Sequence, residues 1–162
     1  MTTPESISAL HSVDGFDCGE ASLNAWLISR ALKNHVEGYT HVRVIADAGV
    51  VIGYYGLATA SIIASALPRS VRGGQPPDPV PALLLGRFAV DIGNQGKGLG
   101  LTLFADAMRR SIAVADLVGA RAIVIHAVGA KACAFYQRHG FISTIAEPLT
   151  LYQSIQRIRA AL

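Results

Sequence analysis

Apolar positions along the chain switch between a period of about 3.6 and a period of 2, and the switches mark the elements. A first strand is expected around Ile7–Leu10. Leu23, Trp26, Leu27 and Ala31 share a helical face, and Asp17 followed by Glu20 reads as a capping box ahead of them. That helix is expected to reach about Asn34, with Gly38 as its stop. His41–Asp47 and Val50–Leu57 are β-rich runs around Ala48-Gly49 and predict a hairpin. Tyr54 and Tyr55 fall on opposite faces of its second strand; core packing is expected of at least one, and either fits a cleft lining. Thr59–Leu67 is small and apolar and fits a strand or a short helix. Pro68–Pro81 holds two adjacent glycines and five prolines, so it is expected to be a loop without regular structure. Leu83–Val90 is a buried strand that runs into a glycine-rich turn. Phe104, Met108, Ile112 and Ala115 then mark a helix to about Val118, stopped by Gly119. Arg121–Ala127 is a second buried strand, parallel to the first through a right-handed crossover. Ala130–His139 is a short helix closed by Gly140, Phe141–Ile145 and Leu149–Ser154 are the last strands, and Arg157–Leu162 is a frayed tail. This order implies one α/β domain over residues 1–162, built on a mixed sheet.

Composition narrows the class. In 162 residues, 51% are hydrophobic and 15% charged, which excludes a disordered chain. No apolar run approaches the roughly 18 residues of a membrane span. The N-terminal MTTPESISAL has neither the basic start nor the apolar core of a secretory signal, so a cytoplasmic protein is expected. Cys18 and Cys133 have neither metal-ligand nor redox spacing and fit reduced thiols; no metal is expected. A net charge of +3 is too mild to name a partner, but its distribution is uneven. Acidic Glu5, Asp14, Asp17 and Glu20 precede any basic residue, and Arg30, Lys33 and Arg43 then follow, with Arg69 and Arg72 in the proline-rich loop. These basic residues fit solvated surface and a nucleic-acid contact face equally.

The glycine-rich turn carries the chemistry. A strand feeding a helix through glycines gathers unpaired N–H groups and the positive end of the helix dipole at one spot, an anion site suited to pyrophosphate. The dinucleotide fingerprint fails, because its third glycine would fall at Leu101. A P-loop fails too, since Asp91 stands where its first glycine belongs and Gly98 where Ser or Thr should follow Lys97. The pattern that fits is Q-x-x-G-x-G: Gln95, Gly98 and Gly100. It resembles the acetyl-coenzyme A signature of the GNAT N-acetyltransferase superfamily, as does Ala132–Phe141, ACAFYQRHGF, with the superfamily's A-x-x-F-Y-x-x-x-G-F segment. The resemblance implies a mostly antiparallel mixed sheet with a splayed parallel pair, flanked by about four helices. It implies acetyl-CoA as cosubstrate, with Gln95, Gly96, Lys97, Gly98 and Gly100 around the pyrophosphate. Phe88, Ala89 and Val90 would run along the pantetheine arm, Phe135 would line it, and Tyr136 would be the general acid toward the thiolate. Cys133, one turn before Tyr136, fits a small buried thiol better than a nucleophile. Many superfamily members carry Asn after the second parallel strand, where this chain has Val128 and Gly129. No carboxylate stands out as a base; Asp91 is nearest and equally fits a turn residue. A weakly basic amine, such as the α-amine of an aminoacyl ester, needs no strong base.

A narrower resemblance spans nearly the whole chain. Phe16-Asp17-Cys18-Gly19, Leu23-Asn24-Ala25-Trp26-Leu27, Gly38, Gly53-Tyr54-Tyr55 and Leu85-Gly86-Arg87-Phe88-Ala89-Val90-Asp91 are similar to the GNAT toxins of bacterial toxin–antitoxin pairs. The resemblance implies acetylation of the α-amino group of aminoacyl-tRNA, which blocks translation. It further implies a cognate ribbon–helix–helix antitoxin, commonly a homodimer, and no membrane. Arg30, Lys33, Arg43, Arg69 and Arg72 would then face tRNA phosphates. The alternative is a GNAT N-acetyltransferase acting on a small-molecule or protein amine, and a third reading is a non-catalytic acyl-CoA-binding module.

Overall fold

The computed structural model describes residues 1–162. A two-residue strand β1 (Glu5–Ser6) precedes helix α1 (Ala21–Trp26), which passes through a π-helical turn at Leu27–Ala31 into α2 (Leu32–Glu37). The hairpin strands are β2 (His41–Asp47) and β3 (Val50–Ile62), followed by the short helix α3 (Arg69–Arg72). Next come β4 (Val80–Val90), α4 (Leu99–Leu117), β5 (Ala122–His126) and α5 (Ala130–Arg138). The chain ends with β6 (Ile142–Ser143), β7 (Thr150–Ser154) and α6 (Ile155–Ala161). Hydrogen bonding orders the strands β1-β2-β3-β4-β5-β7-β6. The β1–β2, β2–β3, β5–β7 and β6–β7 ladders are antiparallel and β4–β5 is parallel, as the sequence implied. No helix is long and apolar enough to cross a membrane.

The chain divides into two units, Met1–Ala58 with Gly86–Ala107 and Thr59–Leu85 with Met108–Leu162. In the first, Phe16, Leu23, Leu27, Val42, Val44 and Tyr54 form one buried cluster. The hairpin turns at Ala48-Gly49, with φ of 49° and 81°, the left-handed pair that matches strand twist. Gly38 ends α2 at φ 83°, its N–H accepted by helix carbonyls. The expected capping box is absent. Glu20 at the N-cap makes no side-chain cap bond, and Asp17 instead accepts from the Gly19 N–H and Asn24 Nδ2. Tyr54 and Tyr55 are both fully buried. Their hydroxyls donate to the Leu23 carbonyl at 2.7 Å and to Asp106 at 2.6 Å, so neither lines a cleft.

In the second unit, Leu67, Val71, Val80, Ala122, Val124 and Tyr152 share a cluster. Three expectations are corrected here. β3 extends to Ile62, which is buried in that cluster, rather than stopping at Leu57. The proline-rich segment is not wholly irregular. The Pro68 carbonyl accepts from Val71 and Arg72 N–H, and α3 forms with Val71 buried. The tail is ordered because Ser154 caps α6 by accepting from the Arg157 N–H at 3.1 Å, while Ile155 and Ile158 are buried. Arg159 then pairs with Asp116 of α4 at 2.8 Å.

Candidate active site

The first unit holds the glycine-rich turn, and two segments far apart in sequence build it together. After β4, the Asp91 carboxylate accepts from the Gly93 N–H at 3.1 Å and from the Asp17 N–H at 3.0 Å. The Asp17 carbonyl accepts in return from the Ile92 N–H at 2.7 Å. Gln95 Nε2 donates to the Val90 carbonyl at 2.9 Å and to the Cys18 carbonyl at 3.4 Å. Phe16 packs edge-on against Tyr54, with centroids 5.6 Å apart, and anchors the F-x-C-G segment. The two motifs are therefore two halves of one clamp. Asp91 is its pivot, and the Gln95 side chain braces the loop.

The brace leaves the backbone to act. Gly96 and Gly98 adopt φ of 78° and 80°, with open space where a Cβ would stand. Their requirement is conformational: a side chain there is strained even though nothing obstructs it. The Thr102 N–H donates to the Gly98 carbonyl, so the amides of Leu99, Gly100 and Leu101 precede the first bond of α4. Those amides and the positive end of a 19-residue helix are the features that suit an anion. Lys97 is exposed beside them, with Nζ donating to Asn94 Oδ1 at 3.4 Å.

β4 lies between β3 and β5 in the sheet order. Its parallel ladder to β5 pairs Ala82–Leu85 with Ala122–Ile125, and β4 then continues to Val90. Phe88 and Val90 are half-buried, Ala89 is buried, and the Phe88 ring packs edge-on against Phe104 of α4 at 6.5 Å. β4 thus runs on from Leu85 to Val90 past its ladder to β5.

The second unit holds Tyr136 on α5, 5% exposed. Burial raises the pKa of its phenol well above the ordinary range, so it stays protonated at neutral pH. The Phe135 ring packs against Tyr136 at 5.5 Å and against His139 at 4.7 Å. The thiol of Cys133 is buried, 3.6 Å from Ser143 Oγ and 3.7 Å from the Pro148 carbonyl, a packed thiol held by weak hydrogen bonds.

The basic residues separate into distinct roles. Arg30 and Lys33 are exposed in the first unit, and Arg69 is exposed in the second. Arg72 is half-buried, with Nε donating to the Leu67 carbonyl at 3.2 Å, and it borders an open groove of about 430 Å³ that Arg121 also lines. Arg43 corrects the sequence reading. It is 8% exposed, its Nε donates to Asp106 at 3.0 Å and its Nη2 to the Pro4 carbonyl. It belongs to the core, not to a phosphate-facing surface. Arg87, to which the sequence assigns no role beyond its place in the Leu85–Asp91 run, has its guanidinium 5.2 Å from the Trp26 ring centroid. No group of His, Cys, Asp and Glu is placed to hold a metal ion.

The chain is 42% identical to a tRNA-acetylating toxin of Mycobacterium tuberculosis over 159 residues, 98% of this chain and 95% of the relative. The structure of AtaT complexed with acetyl-methionyl-tRNAfMet matches with a TM-score of 0.89 at 29% identity, over 98% of each chain. A tyrosine-to-phenylalanine mutant of the AtaT toxin, bound to the C-terminus of the antitoxin AtaR and acetyl-CoA, matches at 0.85 and 27%, over 99% of this chain and 97% of that one. No family model matches the chain.

Proposed function

The chain belongs to the tRNA-acetylating toxin family, and from that we propose that it moves the acetyl group of acetyl-CoA to the α-amino group of an aminoacyl-tRNA. The 42% identity to a tRNA-acetylating toxin over nearly the full length is the observation that carries the reading. The amides of Gly96–Leu101 receive the pyrophosphate, and Lys97 adds a point charge. The backbone of Phe88, Ala89 and Val90 takes the pantetheine amides as a further strand would, and an N–H there receives the thioester oxygen. Phe135 packs along the arm, and the Tyr136 hydroxyl donates to the sulfur as the C–S bond breaks. Val128 and Gly129 hold no side-chain amide for the cofactor, so the backbone contacts carry its binding. The acceptor loses its proton readily, an α-amine having a pKa of about 8 against about 10.4 for lysine. Arg30, Lys33, Arg69 and Arg72 contact tRNA phosphates, which sets affinity rather than sequence choice. A cognate ribbon–helix–helix antitoxin, a homodimer and a cytoplasmic location, where charged tRNA is found, complete the proposal.

Purified protein incubated with labelled acetyl-CoA and total charged tRNA is expected to label charged tRNA and leave a deacylated control unlabelled. Label on free polyamines or peptides, with none on charged tRNA, would replace this reading with a small-amine acetyltransferase. The glycine-rich turn has its own test. Gly98→Val places a β-branched residue at φ 80°, costing about 1–2 kcal/mol or more. The loop relieves that strain by shifting, and its amides miss the pyrophosphate. Calorimetric titration is expected to show acetyl-CoA affinity roughly tenfold weaker. Unchanged affinity would move the cofactor elsewhere.

A further inference from the structure

We propose that Arg87, carried on the Trp26 ring, grips a backbone phosphate at the 3′ end of the nucleotide chain bearing the acceptor amine. This assignment rests on the aminoacyl-tRNA reading above.

Arg87 sits between Gly86 and Phe88 on the part of β4 that continues past its ladder. Successive strand residues point to opposite faces. Phe88 meets Phe104 of α4, and Arg87 meets Trp26 of α1, so the two faces carry different partners. The platform under the guanidinium is rigid. The Trp26 ring lies nearly parallel to Tyr54, at 5.9 Å and 11°, and Tyr54 is fully buried with its hydroxyl tied to the Leu23 carbonyl. Gly56 keeps the space open: a Cβ there would stand 2.8 Å from Thr40 Cγ2, 3.7 Å from the Trp26 ring and 3.9 Å from Arg87 Cβ.

Five carboxylates of this unit have partners other than Arg87. Asp17 holds Gly19 and Asn24, Asp91 holds Asp17 and Gly93, and Asp106 holds Arg43 and Tyr55. Glu5 pairs with His11, and Asp47 with the amino terminus. Arg87 takes part in none of these pairs and is half-buried beside the Trp26 ring. A guanidinium held over a ring by a cation–π contact can still present its N–H fork, which binds a phosphate through two oxygens. Exposed Arg30 and Lys33 follow Trp26 along the same helical run, a path of positive charge that a phosphodiester chain can track away from Arg87.

The full-length protein is compared with Arg87→Met, which keeps the stem, and Arg87→Lys, which keeps the charge but loses the fork. The acceptors are charged tRNA and a phosphate-free aminoacyl ester. Arg87→Met is expected to raise KM for charged tRNA at least tenfold, and Arg87→Lys to recover only part of that loss. The slope of log affinity for deacylated tRNA against log salt is expected to fall by about one. Loss on the phosphate-free ester is expected to be several-fold smaller than on tRNA. Equal losses on both acceptors, or an unchanged salt slope, would overturn the assignment even if wild-type protein acetylates charged tRNA. Wild-type protein that fails to label charged tRNA would overturn the underlying reading and this assignment with it.

Discussion

Tyr136→Phe is expected to lower acetyl transfer to charged tRNA by about 10²–10⁴-fold, the range for losing a positioned proton donor. Acetyl-CoA affinity and melting temperature should stay near wild type, because Phe keeps the ring that Phe135 packs against. The reason lies in the phenol's surroundings. Burial disfavours the phenolate, and the pKa rises from its ordinary value of about 10. A group with a raised pKa holds its proton across the working range, as the proposed donor to the sulfur must. The pH–rate profile should therefore show no basic limb from Tyr136 below about pH 10. Any acidic limb would belong to the acceptor amine, which must be neutral to attack. A Tyr136→Phe protein that acetylates at the wild-type rate would remove the residue from the reaction.

Much of this was legible because local chemistry determined it. Ala48-Gly49 between two β-rich runs has one compact solution, and the strand bounds His41–Asp47 follow from it. The glycine turn before α4 is legible for the same reason: Gly96 and Gly98 adopt left-handed conformations that few other residues accept. Other features depend on distant partners. Nothing near Asp17 says that its N–H will donate to Asp91, 74 positions away, so a local capping box looked equally good. The two buried isoleucines of α6 make too short a stripe to register as a period, so its sequence looks like a tail. Trp26 and Arg87, 61 residues apart in number, come together only through the sheet and its covering helix. Sequence periodicity places each on a face and is silent about what the face meets.

Arg43 is the sharpest instance, and Asp106→Ala tests it with the largest expected effect on stability. Arg43 looked like part of a basic cluster, yet the chain holds it inside. Position 43 lies on β2, in a run of five buried residues. Asp106 lies on α4, where its Oδ2 accepts from Arg43 Nε at 3.0 Å and from the Tyr55 hydroxyl at 2.6 Å. Removing the carboxylate leaves a guanidinium and a phenol without their shared acceptor, in a region with little water to replace it. The expected loss is about 3–5 kcal/mol, a large fraction of the roughly 5–15 kcal/mol that holds a domain together. Asp106→Asn, which keeps an acceptor oxygen without the charge, should lose less. Denaturant unfolding reads both. The combination Arg43→Met, Tyr55→Phe and Asp106→Leu should be more stable than the sum of its single changes, since the guanidinium, phenol and carboxylate that bond to one another are then replaced together. Arg43→Met alone should lower stability and leave the salt dependence of tRNA binding unaltered. A stable Arg43→Met protein with a reduced salt slope would instead return this arginine to the phosphate-facing surface.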